Sequence, residues 1–280
     1  MTRAAHFLIR LLFCLFAEDV QILPNRLFSR LLESTKGSPE RFTRSMRQLF
    51  AAMAKGDMFG LDDVPHVDGR LFDDDEALPL THASLRHLAE VAQLDWSAIE
   101  PAIFGTLFVR SLDPAHRAQL GAQYTSKADI LLIVEPVLMA PLRQRWVEVE
   151  RQARDLAARR DATSDAATRT RRNKELESLL LGFMQEIATI RVLDPACGSG
   201  NFLYVSLLLL LGLWKEVWTL TGTLGLTLPL ALDDVAPSPL QLHGIEINPF
   251  AHELAQVTIW IGYIQWLREN GFGVPSEPIL

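Results

Sequence analysis

Val192-Leu193-Asp194-Pro195-Ala196-Cys197-Gly198-Ser199-Gly200-Asn201-Phe202 decides the fold, because strand, carboxylate, glycine turn and helix start follow one another without a break. Ile187 to Leu193 is short and rich in β-branched residues, which predicts a buried strand. Phe202 to Trp218 is apolar enough for a long buried helix. Asp194 therefore stands at the carboxyl end of a strand. Gly198 and Gly200 allow a sharp turn and a close approach to a ligand, and the helix that follows offers unpaired N–H groups there.

Three kinds of site use such a turn. The phosphate loop of nucleoside triphosphatases ends in Gly-Lys-Ser/Thr, whereas this chain has Asn201-Phe202 at that place. A dinucleotide site asks for a third small residue, where Leu203 stands, and for an acid about 20 residues on. The next strand-like segment ending in an acid is the much later Leu242-His243-Gly244-Ile245-Glu246. A carboxylate ahead of the glycines also suits a cation better than a pyrophosphate. S-adenosyl-L-methionine, with its sulfonium and ammonium, is a ligand of that kind.

The run from Asp194 to Phe202 resembles the first motif of amino-group DNA methyltransferases, and Gly244-Ile245-Glu246-Ile247-Asn248-Pro249 resembles their second. The resemblance implies that Asp194 and the Gly198 to Gly200 turn hold the methionine part of S-adenosyl-L-methionine, with Pro195, Ala196, Asn201 and Phe202 also among the cofactor-binding residues. It also implies that Glu246 accepts hydrogen bonds from both ribose hydroxyls and that Ile247 packs on the adenine. A carboxylate opposite a vicinal diol is sound chemistry, since two acceptors meet two donors and the charge strengthens each bond.

Upstream, Gly121-Ala122-Gln123-Tyr124-Thr125-Ser126 is similar to the segment that closes over the methionine end in methyltransferases of permuted motif order, which brings Tyr124 and Thr125 into the candidate site. Thr125-Ser126 also has the form of a helix cap ahead of Lys127 to Leu142, so a plain turn into a helix accounts for it locally. At the amino end, Arg10 to Asp19 resembles the start of the helical spacer of the MmeI-like group of fused restriction and modification enzymes. In that group a nuclease domain precedes the spacer, and a methyltransferase and a target-recognition domain follow it.

At 280 residues and 49% hydrophobic the chain is able to bury a sizeable core in one or two domains. Cys14 and Cys197 have no metal-ligand spacing and form no disulfide framework, and Cys197 has no His or Asp beside it in sequence to activate it. A small packed residue explains it. Phe7 to Phe16 is interrupted by Arg10 and ended by Glu18 and Asp19, as expected of an amphipathic core helix and not of a secretory signal. Phe202 to Trp214 falls short of the roughly 18 apolar residues that span a bilayer. The composition fits an intracellular protein, and a cytoplasmic location is expected.

Residues 1 to about 95 form several helices, separated by Gly37-Ser38-Pro39 and by the acidic stretch Gly60 to Pro79. Its run Asp73-Asp74-Asp75-Glu76 is expected to be a solvated turn, since it lacks the spaced ligands of a calcium loop. A helix is expected from Trp96 to Leu112. Arg143 to Glu177 is dense in charge and suggests two solvated helices joined by a polar connection. Its arginines are the local candidate for nucleic-acid contact, but Glu148, Glu150, Asp155 and Asp161 are interleaved with them and the chain carries a formal charge of −7.

The amino-group enzymes grip the flipped base with Asn, Asp or Ser followed by two prolines and an aromatic. That tetrapeptide does not occur between Met1 and Leu280; Asn248-Pro249-Phe250 imitates it with one proline and is better explained as a turn into a helix from Ala251 to Arg268. There is likewise no Glu-x-Lys element of a nuclease site. The expected fold is α/β, a partial Rossmann-like class I methyltransferase sheet preceded by a helical spacer domain. Residues 1–95 would be the spacer and 96–280 the N-terminal part of the methyltransferase domain.

The expected function is that of an adenine N6 DNA methyltransferase of a restriction–modification system, present as a partial chain. Double-stranded DNA would be the partner of the complete enzyme, with nuclease and target-recognition domains lying elsewhere. The alternatives are a non-catalytic helical scaffold and a methyltransferase acting on RNA or protein. An unpaired sheet edge and an uncovered apolar face also predict poor solubility for the isolated polypeptide.

Overall fold

The computed structural model describes residues 2–67, 70–103, 105, 125–227 and 236–273. In chain order these form helices α1 (Thr2–Asp19), α2 (Leu27–Thr35) and α3 (Pro39–Met53), the two-residue strands β1 (Met58–Phe59) and β2 (Asp62–Asp63), and helix α4 (His82–Val91). There follow α5 (Lys127–Val134), a π-helical turn (Glu135–Met139), α6 (Ala140–Asp161) and α7 (Ala166–Ala188). Strand β3 (Val192–Asp194), helix α8 (Asn201–Thr223), strand β4 (Leu242–Gly244) and helix α9 (Pro249–Glu269) complete the order. The described residues are mostly helical with two small sheets, β1–β2 antiparallel and β3–β4 parallel.

Two compact units share these elements. One takes in the described residues of Met1–Tyr124, Gly198–Gly200 and Glu246–Leu280; the other takes in Thr125–Cys197 and those of Asn201–Ile245.

In the first unit α1 packs on α9 and on α2, and its aromatic residues are central to the core. Phe13 and Phe16 are fully buried, Phe13 meets Phe72 edge-on at 5.7 Å, and Phe50 lies 5.5 Å from Phe72. Arg10 sits among them with no exposed surface. Its guanidinium donates to the Leu71 carbonyl at 2.6 Å, to Asp74 Oδ1 at 2.9 Å and to the Glu76 carbonyl at 3.1 Å, and lies 5.2 Å from the Phe50 ring centre. The acidic run is an exposed turn, as expected, but it also supplies the counter-ion of a buried arginine. Ser38 and Thr81 cap α3 and α4 with their side-chain oxygens. The helix expected from Trp96 starts later. Trp96 is held in irregular chain by its N–H to Asp19 Oδ2 at 2.6 Å and its indole to the Val91 carbonyl at 3.0 Å, and among the described residues helix resumes only at Ala102. Phe104 and residues 106–112 lie outside the described residues.

In the second unit α8 is the central element and packs on α5, α7, β3 and β4. It is long and apolar enough to cross a membrane by length and composition, yet Leu207, Leu210, Leu211, Leu213 and Trp214 are fully buried within the protein. The helix expected to end at Leu142 instead continues through Glu135–Met139 to Asp161. Pro136 lacks an N–H, and its ring would clash with the Leu132 carbonyl in a regular helix; the widened π turn accommodates both. α6 and α7 fold back on each other as a hairpin, with Trp146 stacked on Phe183 at 5.5 Å.

The strand expected from Ile187 starts at Val192. Leu176, Leu180, Phe183, Met184 and Ile187 form one buried stripe at helical spacing, so burial on the hairpin carries Ile187 and Ala188 into α7 against their strand-like sequence. Nor is β3 fully buried, since Leu193 is 62% exposed.

Candidate functional site

β3 and β4 run parallel in the register Val192↔Leu242, Leu193↔His243 and Asp194↔Gly244, which sets the ends of the two motif strands side by side. The ladder continues past the strands. Ile245 N–H donates to the Asp194 carbonyl at 2.9 Å and Cys197 N–H to the Ile245 carbonyl at 3.1 Å. Asp194 Oδ1 accepts the Ala196 N–H at 3.0 Å, so the carboxylate folds over the start of its own turn. Cys197 is a small packed residue. A Cβ on Gly244 would stand 2.6 Å from its Sγ and 3.1 Å from Leu203 Cδ1, so only glycine lets the turn rest on β4. At the start of α8, the buried Asn201 Oδ1 has no hydrogen-bond partner among the described residues.

In the other unit the glycine turn meets the second motif directly. Gly198 N–H donates to Glu246 Oε2 at 2.9 Å, and Asn248 N–H donates to Glu246 Oε1 at 2.7 Å. Each oxygen of the carboxylate has used one of its two lone-pair directions. The two glycines differ in role. Gly200 has φ +81°, and a Cβ there would lie 3.0 to 3.2 Å from the Cβ, Cα and carbonyl oxygen of Ala255, so it lets α9 come close. Gly198 has φ +54°, and a Cβ there would meet nothing within 4 Å. Asn248 caps α9, its Oδ1 accepting the N–H of Phe250 at 3.0 Å and of Ala251 at 3.4 Å. Ile247 is 92% exposed.

The sequence-derived residues are thus brought together in two groups, Gly198, Gly200 and Glu246 in one unit and Asp194 and Ala196 in the other. Pro195 is exposed and Phe202 half-buried. Thr125 precedes Ser126, whose hydroxyl caps α5 by accepting the Asp129 N–H at 3.2 Å, and Tyr124 lies outside the described residues. The packing role of Gly244 and the capping role of Asn248 add to the sequence reading. The signals for them are a glycine at a strand end and an asparagine before a helical proline.

Within their own unit the unused lone pairs on Glu246 and the open space over Gly198 fit the hydroxyl-bearing part of S-adenosyl-L-methionine. The MmeI helicase spacer domain matches residues 2–72 and the MmeI DNA-methyltransferase domain matches residues 166–270. The chain is MmeI-like. It superposes on a structure described as the Type IIL restriction-modification enzyme MmeI in complex with DNA, with a TM-score of 0.76 and 30% identity, over 96% of this chain and 34% of that one. It is 31% identical to DNA methyltransferase A of Bacillus subtilis over 94% of its length, and 23% identical to a putative type II restriction enzyme and methyltransferase of Methanocaldococcus jannaschii over 91%. The MmeI-like chain spans only 28% and 24% of those two relatives.

Proposed function

We propose that this chain is the spacer and cofactor-binding part of a DNA methyltransferase of a restriction–modification system, of the adenine N6 type, with S-adenosyl-L-methionine as methyl donor. In this reading residues 1–95 form the spacer domain and 96–280 begin a Rossmann-like class I methyltransferase domain in which β3 and β4 are the first strands. Duplex DNA is the substrate of the complete cytoplasmic enzyme, and nuclease and target-recognition domains belong to other parts of it. The observation that carries the reading is the hydrogen bond from Gly198 to Glu246, which joins two motifs distant in sequence and leaves the carboxylate able to accept more donors.

S-adenosyl-L-methionine supplies a methyl group activated by its sulfonium. Asp194 offers negative charge to the methionine ammonium, and Asn201 Oδ1 offers a buried acceptor. Glu246 receives the ribose hydroxyls on its remaining lone pairs, and Ile247 presents exposed apolar surface to the adenine. Gly198 keeps the turn bare of a side chain, and Tyr124 and Thr125 close over the methionine end. Titration calorimetry of the chain with S-adenosyl-L-methionine tests the reading. Saturable binding at one site is the expected result; no binding by a folded chain would overturn it and favour a helical scaffold.

A further inference from the structure

The α6–α7 hairpin is rich in both charges, and the structure shows how they are shared out. Along α6 each acid is taken by a neighbouring arginine: Glu148 by Arg151 at 2.7 Å, Glu150 by Arg154 at 2.6 Å and Asp155 by Arg159 at 2.8 Å. Arg160 grips Asp161 through two nitrogens, at 2.8 and 3.2 Å. The acids that dilute the field in the sequence are thereby neutralised within their own helix. Around the connection the balance is different. Residues 159–174 hold Arg159, Arg160, Arg169, Arg171, Arg172 and Lys174 against Asp161 and Asp165, in a chain of net charge −7, and Arg159 and Arg171 pair just outside that stretch with Asp155 and with Glu175.

Arg159, Arg160 and Arg171 each pair with an acid, whereas Arg169 and Arg172 bond backbone carbonyls, and the acid whose charge Arg169 acts on is Asp161, already gripped by Arg160. Arg169 Nη2 donates to the Thr163 carbonyl at 3.0 Å, and Arg172 Nη1 donates to the Arg159 carbonyl. A carbonyl orients a guanidinium without cancelling its charge, and each fork keeps donors in reserve. Three residues apart on α7, the two project from neighbouring positions on one helix face. Two cations fixed in place beside the hairpin connection fit the repeated charge of a phosphate backbone. We propose that Arg169 and Arg172, at the connection end of the α6–α7 hairpin, contact the phosphodiester backbone of duplex DNA. The inference rests on the proposed function for its choice of partner and adds the surface that meets it.

The test measures binding of the full chain to a fluorescent duplex of arbitrary sequence across a salt series, with S-adenosyl-L-methionine binding followed in parallel. The double variant Arg169→Gln, Arg172→Gln is expected to flatten the slope of log affinity against log salt by about 1.8, two phosphate contacts at about 0.9 each. The double lysine variant keeps the charges and is expected to keep most of the slope. The control Arg41→Gln, Arg44→Gln removes two exposed cations at the same spacing on α3 and is expected to leave it unchanged. An unchanged slope in the Arg169, Arg172 variant, an equal drop in the control, or no salt-dependent binding by the parent chain would each overturn the proposal. If the cofactor still binds in those cases, the surface is wrong and the methyltransferase reading stands; loss of cofactor binding by the parent chain refutes that reading instead.

Discussion

The Gly198 N–H donates to Glu246 Oε2 at 2.9 Å, tying the glycine turn before α8 to the acid before α9. Glu246 holds the Gly198 and Asn248 amides, and under the proposed function it would receive the ribose as a second task. Glu246→Ala should weaken S-adenosyl-L-methionine binding by about 1.5 to 3 kcal/mol, the range for hydrogen bonds to a charged group, and should lower thermal stability as well. Glu246→Gln keeps one acceptor oxygen and should fall between. Calorimetry and a melting curve on the same samples separate the two effects. Unchanged cofactor affinity in both variants would remove Glu246 from the site.

The two glycines of the turn should respond differently to substitution. Gly200→Ala drives a methyl group against the Ala255 backbone in addition to its φ of +81°, and its main effect should be on stability. Gly198→Ala meets no protein atom and costs about 1 to 2 kcal/mol for its left-handed backbone, so this variant should fold. Its cofactor affinity should nevertheless drop, because the added methyl group fills the space left for the ligand. Full affinity in folded Gly198→Ala would show that the turn is a structural connector only.

Much of this was legible in the sequence because it rests on local chemistry. A strand ending in Asp194, a glycine turn and an apolar run specify β3 and α8 within one window, and Asn248-Pro249 announces the start of α9. What escaped depends on distant partners. Arg10 interrupts an apolar run, and the sequence around it does not show its burial, because its acceptors are more than sixty residues away in Leu71, Asp74 and Glu76. Ile187 looks like a strand residue until the hairpin buries it. In the sequence Gly244 is an ordinary strand-end glycine, and its need for a missing side chain arises only when Cys197 folds onto it.

The buried arginine should make stability depend on acid. Burial raises the pKa of the Asp74 carboxyl, but the bonds from Arg10 and the Glu76 amide outweigh it and hold the carboxyl below the usual aspartate range. A depressed folded-state pKa means that the contribution is present above the unfolded value of about 3.9 and is lost as pH falls through the folded one. Asp74→Asn should therefore be less stable than the parent chain near neutral pH, with the difference shrinking below about pH 4. A stability gap constant from neutral pH to pH 3, measured by urea unfolding, would count against the pairing. Arg10→Met removes the donor to the buried Leu71 carbonyl as well and should cost about 1 to 3 kcal/mol.

The last prediction concerns methyl transfer by this polypeptide alone. The base-gripping tetrapeptide of amino-group enzymes uses backbone and side-chain oxygens to hold the amine in line with the methyl group, and such positioning supplies many orders of magnitude in rate. The nearest imitation here, Asn248-Pro249-Phe250, has its side-chain oxygen occupied by the Phe250 and Ala251 amides at the start of α9. Redirecting that oxygen to a base would uncap the helix, at a cost of about 1 kcal/mol, and would still leave the second proline missing. The 280-residue chain should therefore bind the cofactor without methylating duplex DNA. Labelled methyl groups appearing in DNA after incubation with the purified chain, and disappearing with Asn248→Ala, would refute this and place the base beside Asn248.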